Sequence, residues 1–256
     1  MDPDRALALL AEVAGATDRR LAGLAARIAA RLVLDLARAG SGGRRGVGRL
    51  VSDRADRAAG DLDLDAAFDT LAAARAERRP PALAELRVRR WHRPATAITL
   101  LVDRSGSMGG DRLVTAAVGA AACALRAPIE WAVLAFSNQV VAVKSLDRSR
   151  AAVSVVDDLL RLRGRGTTDL AAALEAGRDQ LVRASARRRI TILLSDCRAT
   201  AGVDPRGVAR RLDELVILAP ESDAADAIEL ATSTGARLGL VSGPGSVPEA
   251  LARLLA

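Results

Sequence analysis

Tyrosine is absent from this 256-residue chain, and all aromatics together make up 2% of it. Half of the residues are hydrophobic, so a core must be built from Ala, Leu, Val and Ile. Lysine is nearly absent too: Lys144 is the single one, and Arg supplies the rest of the 38 basic residues. A preference for Arg and Ala in the composition accounts for this. A nucleic-acid surface would interleave basic residues with stacking aromatics, and no such run is present, so nucleic acid is a secondary reading. The one histidine, His92, has no partner for catalysis or for zinc. Cysteine occurs only at 123 and 197, without metal spacing or a disulfide framework, which predicts reduced, packed thiols in a cytoplasmic protein.

Other absences narrow the function. The start, MDPDRALALLAEVAG, is acidic first and apolar second, unlike a secretory leader. The longest nearly apolar stretch, 113–125, is too short and too Ala-rich to span a bilayer, so no membrane role is expected. The glycine-rich stretch 40–48, GSGGRRGVG, lacks phosphate-loop spacing and follows no strand; it reads as a linker. A serine hydrolase would need a G-x-S-x-G elbow and a histidine after it. A phosphotransferase with a nucleophilic Asp103 would want a second Asp where Ser105 stands. The chain is therefore expected not to be an enzyme.

Residues 2–39 carry Leu, Ile and Val at three- and four-residue spacing and predict helices, broken near 15–18 with Thr17 or Asp18 as a cap. Asp61, Asp63 and Asp65 alternate, but the glycine and distant glutamate of a calcium loop are missing. Asp63 or Asp65 is instead expected to cap a helix whose apolar face holds Leu64, Phe68 and Leu71. Pro80-Pro81 stops that helix, and 86–93, LRVRRWHR, reads as a basic connector. The basic excess lies mainly here, with 18 Arg against 13 acidic residues up to position 93. The chain thus divides into a helical N-terminal region, 1–93, and a second domain, 94–256.

That second domain is organised around 97–110, AITLLVDRSGSMGG. Ile98 to Val102 is apolar without alternation, as in a strand buried on both faces. It ends abruptly in Asp103, Ser105 and Ser107, then glycines. These make a loop at the strand's carboxyl end, where open α/β sheets bind ligands. All three side chains offer oxygen, the donor that a hard divalent cation takes. Helices and apolar strands then alternate to the end, including 131–136, WAVLAF, and 190–195, ITILLS. A tight turn at 137–138 makes 140–143 an antiparallel edge strand. The pattern predicts an α/β fold: a doubly wound, mostly parallel six-stranded sheet with helices on both faces.

Two further loops fall at strand ends, Thr167-Thr168-Asp169 and Ser195-Asp196. Asp-x-Ser-x-Ser after a buried strand, Thr-Asp-Leu opening a helix, and Leu-Leu-Ser-Asp closing a later strand together resemble the von Willebrand factor A (VWA) domain. The resemblance implies a metal-ion-dependent adhesion site in which Asp103, Ser105, Ser107, Thr168 and Asp196 surround Mg²⁺, with Mn²⁺ as an alternative. Thr168 is preferred to Thr167 because it adjoins Asp169-Leu170 and the helix that follows. Within that superfamily the chain resembles bacterial cytosolic members: CoxE-like proteins and the magnesium chelatase D subunit. That implies an adaptor for a MoxR-type AAA+ ATPase supplied in trans, with a partner carboxylate completing the metal. A stand-alone metal-dependent binding module is the alternative.

Overall fold

The structure, a computed structural model, describes residues 4–6, 9, 37, 49–56, 60–92, 96–104, 110–162 and 166–256. The chain forms two compact units, Arg44–Pro94 and a larger one made of Met1–Gly43 with Ala95–Ala256. The helices expected over 2–39, their break and the linker at 40–48 lie outside the described residues, except that 4–6, 9 and 37 are helical.

The smaller unit is not purely helical. Strand β1 (Arg49–Arg54), the two-residue β2 (Asp61–Leu62), helix α1 (Leu64–Ala76) and β3 (Arg87–His92) make an antiparallel sheet, in the order β1-β3-β2, with one helix. The basic connector is therefore a strand. Val88 is buried between exposed Arg87 and Arg89, a period of two that the excess of arginine disguises. Asp63 caps α1, accepting the Ala66 N–H at 3.2 Å. The helix face differs from expectation. Leu64 and Phe68 are 65% and 69% exposed, and α1 buries Ala67 and Ala74 instead. Arg89 of β3 reaches Asp63 and Asp65 at 3.1 and 2.7 Å, tying the start of α1 to the sheet.

The larger unit alternates strand and helix. In order these are β4 (Thr96–Asp103), α2 (Gly110–Arg126), β5 (Trp131–Phe136), β6 (Val140–Lys144), α3 (Ala152–Leu160), α4 (Leu170–Val182), β7 (Arg188–Leu194), α5 (Arg206–Ala209), β8 (Glu214–Pro220), α6 (Ala225–Thr234), β9 (Arg237–Val241) and α7 (Val247–Leu254). The six-stranded sheet runs β6-β5-β4-β7-β8-β9, parallel except for β6, which is antiparallel at the edge as expected. Successive residues of β4 face opposite cores. Ile98, Leu100 and Val102 join α2, α3 and α7, while Leu101 joins α4, α5 and α6. Strands buried on both faces explain why these segments read as unbroken apolar runs.

The connectivity positions the site. From β4 the chain crosses to β5 on one side, then returns to β7 on the other. The carboxyl ends of β4 and β7 therefore flank the switch point, where connections leave in opposite directions and open a crevice.

Candidate functional site

Asp103 is the last residue of β4, and Ser195-Asp196 directly follow β7. Val102 and Leu194 are paired in register, so the two acidic residues leave adjacent strands at one level. Both are buried, at 3% and 8% exposure. Two carboxylates taken out of water side by side are costly unless donors or a cation meet them. Part of the answer is local. Ser195 Oγ donates to Asp103 Oδ2 at 2.6 Å, and the Arg198 N–H donates to Asp196 Oδ1 at 3.1 Å.

The backbone bends hard to do this. Cys197 has φ of +63°, a left-handed conformation uncommon outside glycine. It turns the Cys197 N–H back onto Ser195 Oγ at 2.9 Å. The serine hydroxyl thus accepts from Cys197 and spends its one proton on Asp103. Cys197 itself is buried and unoxidised. Burial, then the nearby Asp196 and Asp103 carboxylates, push its thiol well above the ordinary range. It sits beside the site as a neutral thiol. Cys123 is buried in the core, and burial pushes it up to about 12.

The third loop comes from the start of α4. Asp169 is the helix cap, its side chain accepting the Ala172 N–H at 3.0 Å, so this aspartate is committed to the helix. Its backbone N–H donates to Ser137 O at 2.9 Å, while Arg104 N–H donates to Phe136 O at 2.8 Å. The end of β5 therefore ties the residue after Asp103 and the residue after Thr168 to consecutive positions. Thr168 is 3% exposed, whereas Thr167 is exposed. Ser105 and Ser107 lie outside the described residues.

Beside the acids lies a cavity of about 220 Å³, lined by Asp103, Ser195, Asp196, Thr115, Leu218 and Ser242 among others. Among the described residues no three His, Cys, Asp or Glu side chains converge as a metal cluster. Of the expected ligands, the described residues include two carboxylates, Asp103 and Asp196, and the hydroxyl of Thr168. That all-oxygen set, neutral in part, fits a hard divalent cation and not a soft one. Sequence reasoning placed Ser195 in the strand-end loop without giving it a role, and did not single out Thr200. The hydroxyl of Thr200 accepts the Thr168 N–H at 2.8 Å, a contact across 32 residues that no local spacing signals.

Among solved structures, the fold is similar to the manganese-loaded TRAP protein of Plasmodium vivax, at 19% identity over 64% of this chain and 74% of that one, with a TM-score of 0.51. It is also similar to the conserved hypothetical protein BatB of Bacteroides thetaiotaomicron, at 13% identity over 63% of this chain and 97% of that one, with a TM-score of 0.50. Proximal thread matrix protein 1 of the mussel byssus aligns at 16% identity over 62% of this chain, with a TM-score of 0.46, and the chain spans only 46% of that protein. These likenesses are of fold. No curated protein matches the chain. The model of the family described as VWA domain containing CoxE-like protein matches residues 24–236, most of the length. With the doubly wound sheet and the acidic strand ends at its switch point, the chain belongs to the CoxE-like family of VWA-domain proteins.

Proposed function

We propose that this protein is a Mg²⁺-dependent protein-interaction module, and not an enzyme. The observation that carries the reading is the pair of buried carboxylates, Asp103 and Asp196, on adjacent strand ends beside an open cavity. Asp103, Ser105, Ser107, Thr168 and Asp196 would hold the ion, with Mn²⁺ able to replace Mg²⁺; the TRAP protein of similar fold is manganese-loaded. The bound ion supplies a positive centre with an exchangeable position, which a carboxylate of a partner completes. The chain's own residues position it. Ser195 orients Asp103, the bend at Cys197 shapes the loop that carries Asp196, and the Asp169 cap starts the helix that follows Thr168.

The finer reading is an adaptor for a MoxR-type AAA+ ATPase acting in trans, in the cytoplasm, where two buried free thiols stay reduced. Nucleic acid is a poorer fit. In the small unit Arg54, Arg79 and Arg89 each pair with acids of the same unit and are not arrayed for phosphates. Affinity purification from the native host, with Mg²⁺ and then with EDTA, tests the reading. An AAA+ protein that is retained with Mg²⁺, released by chelation and lost with Asp103→Ala supports the adaptor. A partner that survives chelation overturns metal dependence. Metal-dependent partners without an ATPase leave a stand-alone module.

A further inference from the structure

The segment 195–202 does more than supply Asp196. At its start Ser195 bonds Asp103. At its far end Thr200 and Ala201 grip Thr168 from both sides of its peptide. The Thr168 N–H donates to Thr200 Oγ1 at 2.8 Å, and the Thr200 and Ala201 N–H groups both donate to Thr168 O at 3.1 Å. Ala201 also forms a parallel bridge with Asp169. One residue on, Gly202 has φ of +82°, and a Cβ there would stand 2.3 Å from Asp169 Oδ1. Only glycine lets the backbone pass the carboxylate that caps α4. One short segment therefore carries one loop of the candidate site and touches the other two.

We propose that Thr200 is a positioning residue. Through Thr168 it sets the spacing between the loop that opens α4 and the strand ends that carry Asp103 and Asp196. The inference rests on the metal-site reading given above. Thr168 is buried, so its N–H needs an internal acceptor, and the Thr200 hydroxyl is that acceptor. Thr200 itself is exposed, so its side chain contributes little packing and its loss leaves the core intact. A purely structural threonine would change melting and amide exchange but not metal affinity. A positioning one lowers metal affinity as well.

The test uses the full chain and Mn²⁺ alone as probe, with affinity read from the electron paramagnetic resonance signal of free Mn²⁺. Exchange of the Thr168 amide is followed in parallel without metal. Outer hydrogen-bond partners of metal ligands carry about 10- to 100-fold in affinity. Because Thr168 is one neutral donor among several, Thr200→Val is expected near the lower end, about 10-fold weaker. Its Thr168 amide should exchange faster, and the apo melting temperature should fall modestly, because a buried N–H loses its acceptor. Thr200→Ser, which keeps the acceptor, restores both. In a Thr168→Ala background, Thr200→Val adds no more than about twofold, because the two act through one contact. Wild-type affinity in Thr200→Val, or the full loss persisting without the Thr168 hydroxyl, overturns the inference while the metal site stands. Wild-type Mn²⁺ affinity in Asp103→Ala overturns the metal reading and this inference with it.

Discussion

At the amino end of the parallel sheet, Glu214 of β8 accepts from Arg188 of β7 at 2.7 and 3.0 Å and is also bonded by Arg237 of β9. Nearby, Glu130 takes the N–H groups of Ser185 and Ala186, and Lys144 donates to the Trp131 carbonyl at 2.5 Å with its ammonium 4.6 Å over the Trp131 ring. At the carboxyl end, Asp103 and Asp196 are more deeply buried than Glu214; Asp103 accepts from the Ser195 hydroxyl and Asp196 from the Arg198 amide. The same strands thus end in two kinds of polar chemistry. At one end Arg188 and Arg237 meet the charge of Glu214. The other brings two carboxylates together beside a cavity, with a hydroxyl and a backbone amide turned toward them.

The largest break in that contrast should come from Asp103→Ala. Losing a charged ligand costs at least as much as losing its outer partner, so Mg²⁺ affinity should fall by about 100-fold or more. Isothermal titration checks this. Thermal melting gives a second readout. Saturating Mg²⁺, at about 100 times the dissociation constant, should stabilise the wild type by about 2.7 kcal/mol and the variant hardly at all.

Gly202→Ala attacks the same end through the backbone. The left-handed conformation costs a non-glycine residue about 1–2 kcal/mol, and the clash with Asp169 adds to it. A loss of about 2–3 kcal/mol in denaturant unfolding is expected. Gly207, where an added Cβ meets nothing within 4 Å, is the control and should change by no more than about 0.5 kcal/mol.

Breaking the amino end should matter less and in a different way. Arg188, and then Arg237, hold the Glu214 carboxyl below its ordinary value of 4.5. A carboxylate with a lowered folded value stabilises above that ordinary value and loses its contribution as pH falls through the folded one. Glu214→Gln should therefore cost about 1–2 kcal/mol at neutral pH, discounted because all three side chains are about one-third exposed. The difference from wild type should shrink as pH is lowered from about 4.5. Metal affinity should not change. Melts between pH 3 and 7 decide it, and a pH-independent gap would mean that the pairs contribute packing alone.

The sheet was largely readable in the sequence because its strands are buried on both faces. WAVLAF at 131–136 is a strand with those bounds, every residue of it buried. The strand ends that carry Asp103 and Asp196 were readable for the same reason, since an acidic residue stops an apolar run. What was hidden depends on partners distant in sequence. Strand β1, RLVSDR, shows no alternation, β3, RVRRWH, sets its apolar residues among arginines, and 32 residues separate Arg54 from Arg87. Nothing local marks that Leu64 and Phe68 turn outward, and the tie from Arg89 to Asp65 joins positions two dozen residues apart. Ser195 and Thr200 act through single hydrogen bonds to other loops, and a hydroxyl in a Gly-, Ser- or Thr-rich loop carries no mark of which backbone it will meet.

Between the two ends, the middle of the sheet offers the smallest test. Thr99 of β4 and Thr191 of β7 lie opposite each other in register, and each is fully buried. Their hydroxyls have no hydrogen-bond partner among the described residues. Each group gave up water on folding without a replacement, a cost of about 1–3 kcal/mol, and neither faces the cavity or the charged amino end. Valine has the same branched shape and a methyl in place of the hydroxyl. Thr99→Val and Thr191→Val should each therefore stabilise by up to about 1 kcal/mol, raising the melting temperature by about 2–4 °C. Metal affinity should stay at the wild-type value, since this layer touches neither end. The double variant is informative because the two sites are neighbours. If the gains add, the hydroxyls were independently unsatisfied. A loss of about 1–2 kcal/mol in either single variant would instead mean that a buried water bridges the pair, and that the sheet's middle, like its ends, is polar by construction.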